Sequence, residues 1–192
     1  ANVIVERQDD DAPIFTTPSS TISHPENTLS VYTFSAADPD SLGSLTYSLD
    51  SSSGDNAYFS VDGSTGVLSF PSSPDFENVS GKTTYTVTVT ASDVAPTGGT
   101  SLSTDETITV NLQNVNEAPV INLTQTQTIT LNEDASWNGL TDLSVGLSAS
   151  DEDAGDVLNW RYKSGEYPSS GTLTISGSGS APSSFTYSPN AD

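Results

Sequence analysis

The sequence predicts an all-β fold of tandem Greek-key, immunoglobulin-like β-sandwiches, and three observations carry that prediction. Runs in which Val, Ile, Leu, Phe or Tyr alternate with Ser and Thr recur about every eight to twelve residues, divided by turn residues. No window shows apolar residues at helical spacing. A set of motifs also occurs twice in the same order, the mark of a tandem array.

Residues 2–11, NVIVERQDDD, align with the end of a repeat, so residues 1–11 read as the tail strand and linker of an upstream unit. A first repeat covers 12–116. Its shorter strands are expected at 29–34, 45–49, 58–61 and 67–70, divided by turns such as Asp62-Gly63 and Ser53-Gly54-Asp55. Tyr85, Val87, Val89 and Ala91 alternate with Thr84, Thr86, Thr88 and Thr90, so one face packs inward and the other meets water. Ile108, Val110 and Leu112 repeat this pattern against Thr107, Thr109 and Asn111, which predicts a second long strand beside the first.

A second repeat covers 117–192. Ala118-Pro119-Val120-Ile121 echoes Ala12-Pro13-Ile14-Phe15, Glu133 echoes Glu26, SDED at 150–153 echoes ADPD at 37–40, LNWRY at 158–162 echoes LTYSL at 45–49, and GTLTI at 171–175 echoes GVLSF at 66–70. The offset is roughly 106 residues (118 minus 12). Strands are expected around 158–162, 173–175 and 185–187. The last residues, Asn190-Ala191-Asp192, align with Asp75-Phe76-Glu77, so both long strands lack counterparts. The second repeat is therefore expected to be short of its last strands, and the chain to be part of something longer.

Composition excludes several functions. The 192 residues carry 4 Lys plus Arg against 25 Asp plus Glu, a net charge of -21, so phosphate backbones and anionic membranes repel the chain. With no cysteine there is no disulfide frame, thiolate metal site or Cys nucleophile. No apolar run is long enough to span a bilayer, and residues 1–8 do not resemble a signal peptide. His24, the single histidine, precedes Pro25 without a nucleophile motif beside it, and no carboxyl is set in an obviously apolar pocket. The chain is expected not to be an enzyme, with neither nucleic acid nor membrane insertion among its partners.

The carboxylates recur at particular places: Asp9, Asp10 and Asp11; Glu26; Asp38 and Asp40; Asp75 and Glu77; Asp93; Glu117; Asp151, Asp153 and Asp156. Carboxylates two apart, joined by Asn side chains and loop carbonyls, suit calcium, Ca2+, which takes six to eight oxygens in flexible geometry. Magnesium prefers to keep its waters. An EF-hand starting at Asp151 fails, because Asp156 stands where Gly is needed and Tyr162 where Glu is needed. The alternative is a solvated acidic face.

Five elements in order, Glu26, Asp38-x-Asp40, Asp75-x-Glu77, Ala91-x-Asp93 and Asn114-Val115-Asn116-Glu117-Ala118-Pro119, resemble the cadherin repeat across the whole chain. The resemblance implies cadherin-type sandwiches with calcium held where repeats meet. It implies ligands from Glu26, Asp75 and Glu77; from Asn116, Glu117 and the carbonyl of Val115; and from Asp151, Asp153 and a loop carbonyl near Asp156. An upstream set would use Asp10, Asp38, Asp40 and Asp93. Asn114 stands where the vertebrate pattern has Asp, and the segment before Pro119 is one residue shorter. The absence of Cys, the Ser and Thr content and the NVNEAPV linker are more similar to cadherin-like repeats of large bacterial surface adhesins. The expected function is a calcium-rigidified segment of a secreted or cell-surface adhesin, its partners being adjacent repeats and another protein or a glycan. The rival is a calcium-dependent carbohydrate-binding module of a surface protein or of a secreted polysaccharide-degrading enzyme, with Trp137, Trp160 and Tyr162 contacting sugar.

Overall fold

The computed structural model describes residues 11–17, 21–40, 44–93, 100–123, 128, 130–132, 135–139 and 147–191. The strand expected near the chain start lies outside them. The chain divides into two compact units, Ala1–Val115 and Asn116–Asp192. The described regular structure is almost entirely strand, and no described helix is long and apolar enough to cross a membrane.

In unit one, β1 (Ile14–Phe15) pairs with β4 (Ala36–Ala37). A four-stranded sheet runs in the order β2 (Thr21–Pro25), β9 (Ser103–Gln113), β8 (Thr84–Ser92), β5 (Thr46–Leu49). A three-stranded sheet holds β3 (Ser30–Thr33), β7 (Val67–Ser69) and β6 (Ser60–Val61), in that order. The pairing of β2 with β9 is parallel and the other pairings are antiparallel. Alternation explains the long strands: Tyr85, Val87, Val89, Ile108 and Val110 are buried in one cluster with Phe34, Phe59, Leu68 and Phe70. Each such side chain contributes about 1.5 to 3 kcal/mol on burial. Phe70 and Tyr85 meet edge-on with ring centroids 5.6 Å apart. On the outer face the hydroxyls bond across strands, Thr88 to Thr107 at 2.8 Å and Thr90 to the Asp105 carboxylate at 2.6 Å.

The edge of β8 beyond β5 is completed by a short 3-10 turn, Asn56–Tyr58, and the residue before it. Asp55 exchanges bonds with Thr86, its backbone N–H donating to the carbonyl and its carboxylate accepting from the N–H, both at 2.9 Å. Thr86's N–H, desolvation opposing it and Lys82 assisting, holds the Asp55 carboxyl below its usual range. Asn56, 1% exposed, places its side-chain amide where a strand would run: it donates to the carbonyls of Asp50 and Thr88 and accepts from the Thr88 N–H. Gly54 precedes them with φ 52°, and a Cβ there would stand 2.8 Å from the Thr86 carbonyl oxygen.

In unit two, β10 (Val120–Ile121) pairs with β12 (Ala149–Ser150). A three-stranded antiparallel sheet runs β11 (Trp137–Asn138), β14 (Ser184–Pro189), β13 (Gly171–Ser176). The strand expected at 158–162 does not form. Only an isolated bridge joins Asn159 to Ser178, with the Trp160 indole N–H donating to the Gly179 carbonyl at 2.9 Å. Leu158, Trp160 and Tyr162 keep the alternation of Leu45, Tyr47 and Leu49, but in unit one that strand pairs with β8, and among the described residues of unit two no strand stands in the place of β8 to form the ladder. Trp137 lies in a strand and packs edge-on against Phe185, the ring centroids 5.1 Å apart.

Replacing Asn56 by Ala removes three part-buried hydrogen bonds to the backbone of Asp50 and Thr88. Loss on the order of 3 kcal/mol of stability is expected in urea denaturation, and a change below about 0.5 kcal/mol would show that water replaces the amide there.

Candidate metal centre

Among the described residues each unit holds one group of three carboxylates whose ligand oxygens lie within 4.8 Å of one another: Glu26, Asp75 and Glu77 in unit one, and Asp151, Asp153 and Asp156 in unit two. The first is anchored by Glu26, only 2% exposed at the end of β2. Its two oxygens accept from separate backbone segments, Phe76 N–H at 2.6 Å and Val115 N–H at 2.7 Å. Its own N–H donates to the Gln113 carbonyl, extending the β2–β9 ladder by one bond. Asp75 is oriented by the Asn78 N–H at 2.9 Å. Glu77 accepts from the Asn114 side chain at 2.6 Å. An Asp at 114 would have no donor to offer, so the Asn that departs from the vertebrate pattern serves here as a clamp on a neighbouring carboxylate.

The second group is organised by a backbone relay. Glu117 N–H donates to Asp153 Oδ2 at 2.8 Å, and Asp153 N–H donates to Asp151 Oδ1 at 3.2 Å. Asp156 joins with its carboxylate, where sequence reasoning expected a nearby loop carbonyl. Asn116 donates its side-chain N–H to the Glu117 carbonyl, and Val115 shows its N–H committed to Glu26.

The same relay recurs upstream. Asp11 N–H donates to Asp40 Oδ2 at 2.9 Å, and Asp40 N–H to Asp38 Oδ1 at 2.8 Å. Among the described residues Asp38, Asp40 and Asp93 do not form a third three-carboxylate group. Asp93 sits just beyond β8, 3% exposed, where Oδ1 accepts from Leu102 N–H at 2.9 Å. Its Oδ2 has no hydrogen-bond partner among the described residues. Asp10 lies outside the described residues, as does Glu133. The roles of Asn78, Asn114 and Leu102 were missed in sequence; the Asn at the position of a customary Asp was the signal available for one of them.

Three like charges within 4.8 Å repel strongly. Each group could hold a metal ion, and gathered carboxylate oxygens are the donors that a hard divalent cation takes. Of the aromatic residues considered for sugar contact, Trp137 is buried, Trp160 turns its indole N–H to the Gly179 carbonyl, and Tyr162 packs edge-on to Tyr167.

Strand order, parallel β2–β9 pairing and paired carboxylate loops define a chain of Greek-key sandwiches with acid-lined loops. The comparisons give that class its type. No protein-family profile matches the chain. The chain is 33% identical over 168 residues to Protein dachsous of Drosophila melanogaster, which is 84% of this chain and 4% of that protein. In structure it is similar to the Protocadherin Gamma B2 extracellular cadherin domains 3-6, with a TM-score of 0.50 and 21% identity, over 96% of this chain and 44% of that one. The chain thus spans a small part of the curated relative and less than half of the solved one. Its fold is that of tandem cadherin-type β-sandwiches.

Glu77→Ala and Asp153→Ala should each lower calcium-dependent thermal stabilisation, because each removes a charge and an oxygen from its group. Asp105→Ala, on the outer face of β9, should leave it within error. Equal losses in all three, measured by melting with and without calcium, would mean diffuse screening instead of bound ions.

Proposed function

We propose that the chain is a calcium-stiffened repeat segment of an extracellular adhesin. The observation that carries this reading is that each carboxylate group is hydrogen-bonded to the linker from its own unit, the first through Val115 N–H and the second through Glu117 N–H, two residues apart. A calcium ion held by Glu26, Asp75 and Glu77 neutralises charge that otherwise pushes the linker end of β9 from the loop after β7. A second, held by Asp151, Asp153 and Asp156, does the same for the residues that lead into β10. Asn116, Glu117 and the Val115 carbonyl are the further ligands that this reading assigns. Filling both groups fixes the backbone on each side of residue 116, and a flexible connection becomes a stiff one.

An upstream ion would use Asp10, Asp38, Asp40 and Asp93, which the recurring relay supports. The domain boundaries that follow are an upstream tail at 1–11 and repeats at 12–116 and 117–192. Millimolar calcium is found outside cells, which fits a surface or secreted location. The lack of cysteine and the Ser and Thr content favour a bacterial surface protein, whose adhesive partner is another protein or a glycan. No catalytic role is assigned to any residue.

Calorimetric titration should give a Kd on the order of 0.1 to 1 mM for calcium and much weaker binding of magnesium. At calcium about tenfold above Kd, each occupied site adds about 1.4 kcal/mol, or roughly 3 to 6 °C in Tm for a chain of this size. An unchanged Tm between chelator and several-millimolar calcium would overturn the reading.

A further inference from the structure

Unit one carries a cleft of about 360 Å³ walled by the 3-10 turn, the loop after β7 and the entry to β8. That volume falls among small-ligand pockets, which span about 300 to 1,000 Å³. Tyr85, the first inward residue of the β8 alternation, is 3% exposed and forms part of both core and cleft. Its ring lies edge-on to Phe59 and Phe70, with both centroids 5.6 Å away, and to Tyr58 at 5.4 Å. Tyr58 comes from the turn whose Asn56 closes the edge of β8, and its side chain stays half in solvent. Pro71 and Pro74 stiffen the loop that forms another wall.

Polar groups converge on this aromatic wall. Lys82 Nζ pairs with Asp55 at 2.9 Å and stands 5.8 and 5.3 Å from the ring centroids of Tyr58 and Tyr85. An ammonium carries three donors, so the Asp55 pair leaves others for a ligand. Among the described residues no hydrogen bond reaches the Tyr85 hydroxyl, while burial raises its pKa and keeps it a donor at neutral pH. A phenol this deep ordinarily has a partner. Asn78, also in the wall, spends its backbone N–H on Asp75 and has no side-chain hydrogen bond among the described residues.

The charges decide what fits. An anion meets Asp75 in the wall, Asp55 behind Lys82 and a chain of net charge -21. A cation meets Lys82. A purely apolar ligand would strip water from the ammonium, the phenol and the amide without replacing it. A neutral ligand rich in hydroxyls answers donors and acceptors together and lays its C–H face on the Tyr58 ring. We infer that this cleft binds a neutral sugar residue, which makes a glycan the partner of unit one. As a statement about adhesion this rests on the extracellular reading above; the cleft chemistry itself does not.

The test titrates the whole chain with the methyl glycosides of glucose, galactose, mannose and N-acetylglucosamine, at constant calcium, and follows backbone amides by NMR. Saturable shifts at Tyr58, Asn78, Val79 and Lys82 with at least one of them, at millimolar sugar, are the expected result. Methyl glucuronide and methyl glucosaminide, the charged counterparts, should bind about tenfold more weakly. Tyr58→Ala removes the exposed ring, and Tyr85→Phe removes a hydroxyl while keeping the core ring; each should weaken binding severalfold with the amide spectrum of β8 and β9 preserved. The absence of saturable shifts with all four neutral glycosides, equal binding of the charged ones, or unchanged affinity in either variant would overturn the inference. Calcium-dependent Tm is a separate readout, so failure here leaves the stiffened segment standing, and the reverse also holds.

Discussion

One buried carboxylate organises the acid-lined end of unit one. Glu26 has almost no contact with solvent, and its two oxygens are spent on the backbone of two segments far apart in sequence, the loop after β7 and the linker after β9. A charge at this depth is tolerable only because both oxygens are hydrogen-bonded. That requirement fixes Phe76 and Val115 beside the end of β2, and so sets where Asp75 and Glu77 stand. The parallel pairing of β2 with β9 delivers Glu26 to that place, and the buried alternation of β8 and β9 holds the strands that deliver it.

The second constraint is a short relay, used twice. A backbone N–H just before an Ala-Pro pair binds the second Asp of Asp-x-Asp, whose own N–H binds the first. Two bonds in series preset a carboxylate pair without a cation, at the cost of bringing like charges together. A divalent ion relieves that cost, and the loops involved have little apolar burial with which to offset it otherwise.

Much of this was legible in the sequence because the physics was local. The 2-residue period of Tyr85 to Ala91 and of Ile108 to Leu112 reveals strand, face and partner together. Asp-x-Asp and Asp-x-Glu reveal paired carboxylates. What was hidden depends on contacts between distant segments. Asn56 reads as one more turn residue, yet it closes the edge of β8 through a buried side chain. Position 114 reads as a departure until the partner Glu77 is known. In the second unit a similarity of letters, GVLSF to GTLTI, pointed to the wrong strand, since small β-formers and glycines recur in every hairpin and only register distinguishes them. The strand expected at 158–162 shows a related limit: its alternation is intact, yet a ladder needs a partner strand, and among the described residues of unit two none stands in the place of β8.

The central claim is that calcium immobilises the linker through carboxylates bonded to Val115 and Glu117. The most direct measurement is 15N relaxation of those two amides across a calcium titration. Heteronuclear NOE values that rise at both amides to those of β8 and β9, with the same midpoint as calcium binding, are the predicted result. Linker amides that are equally rigid in chelator, or equally mobile at saturating calcium, would contradict it.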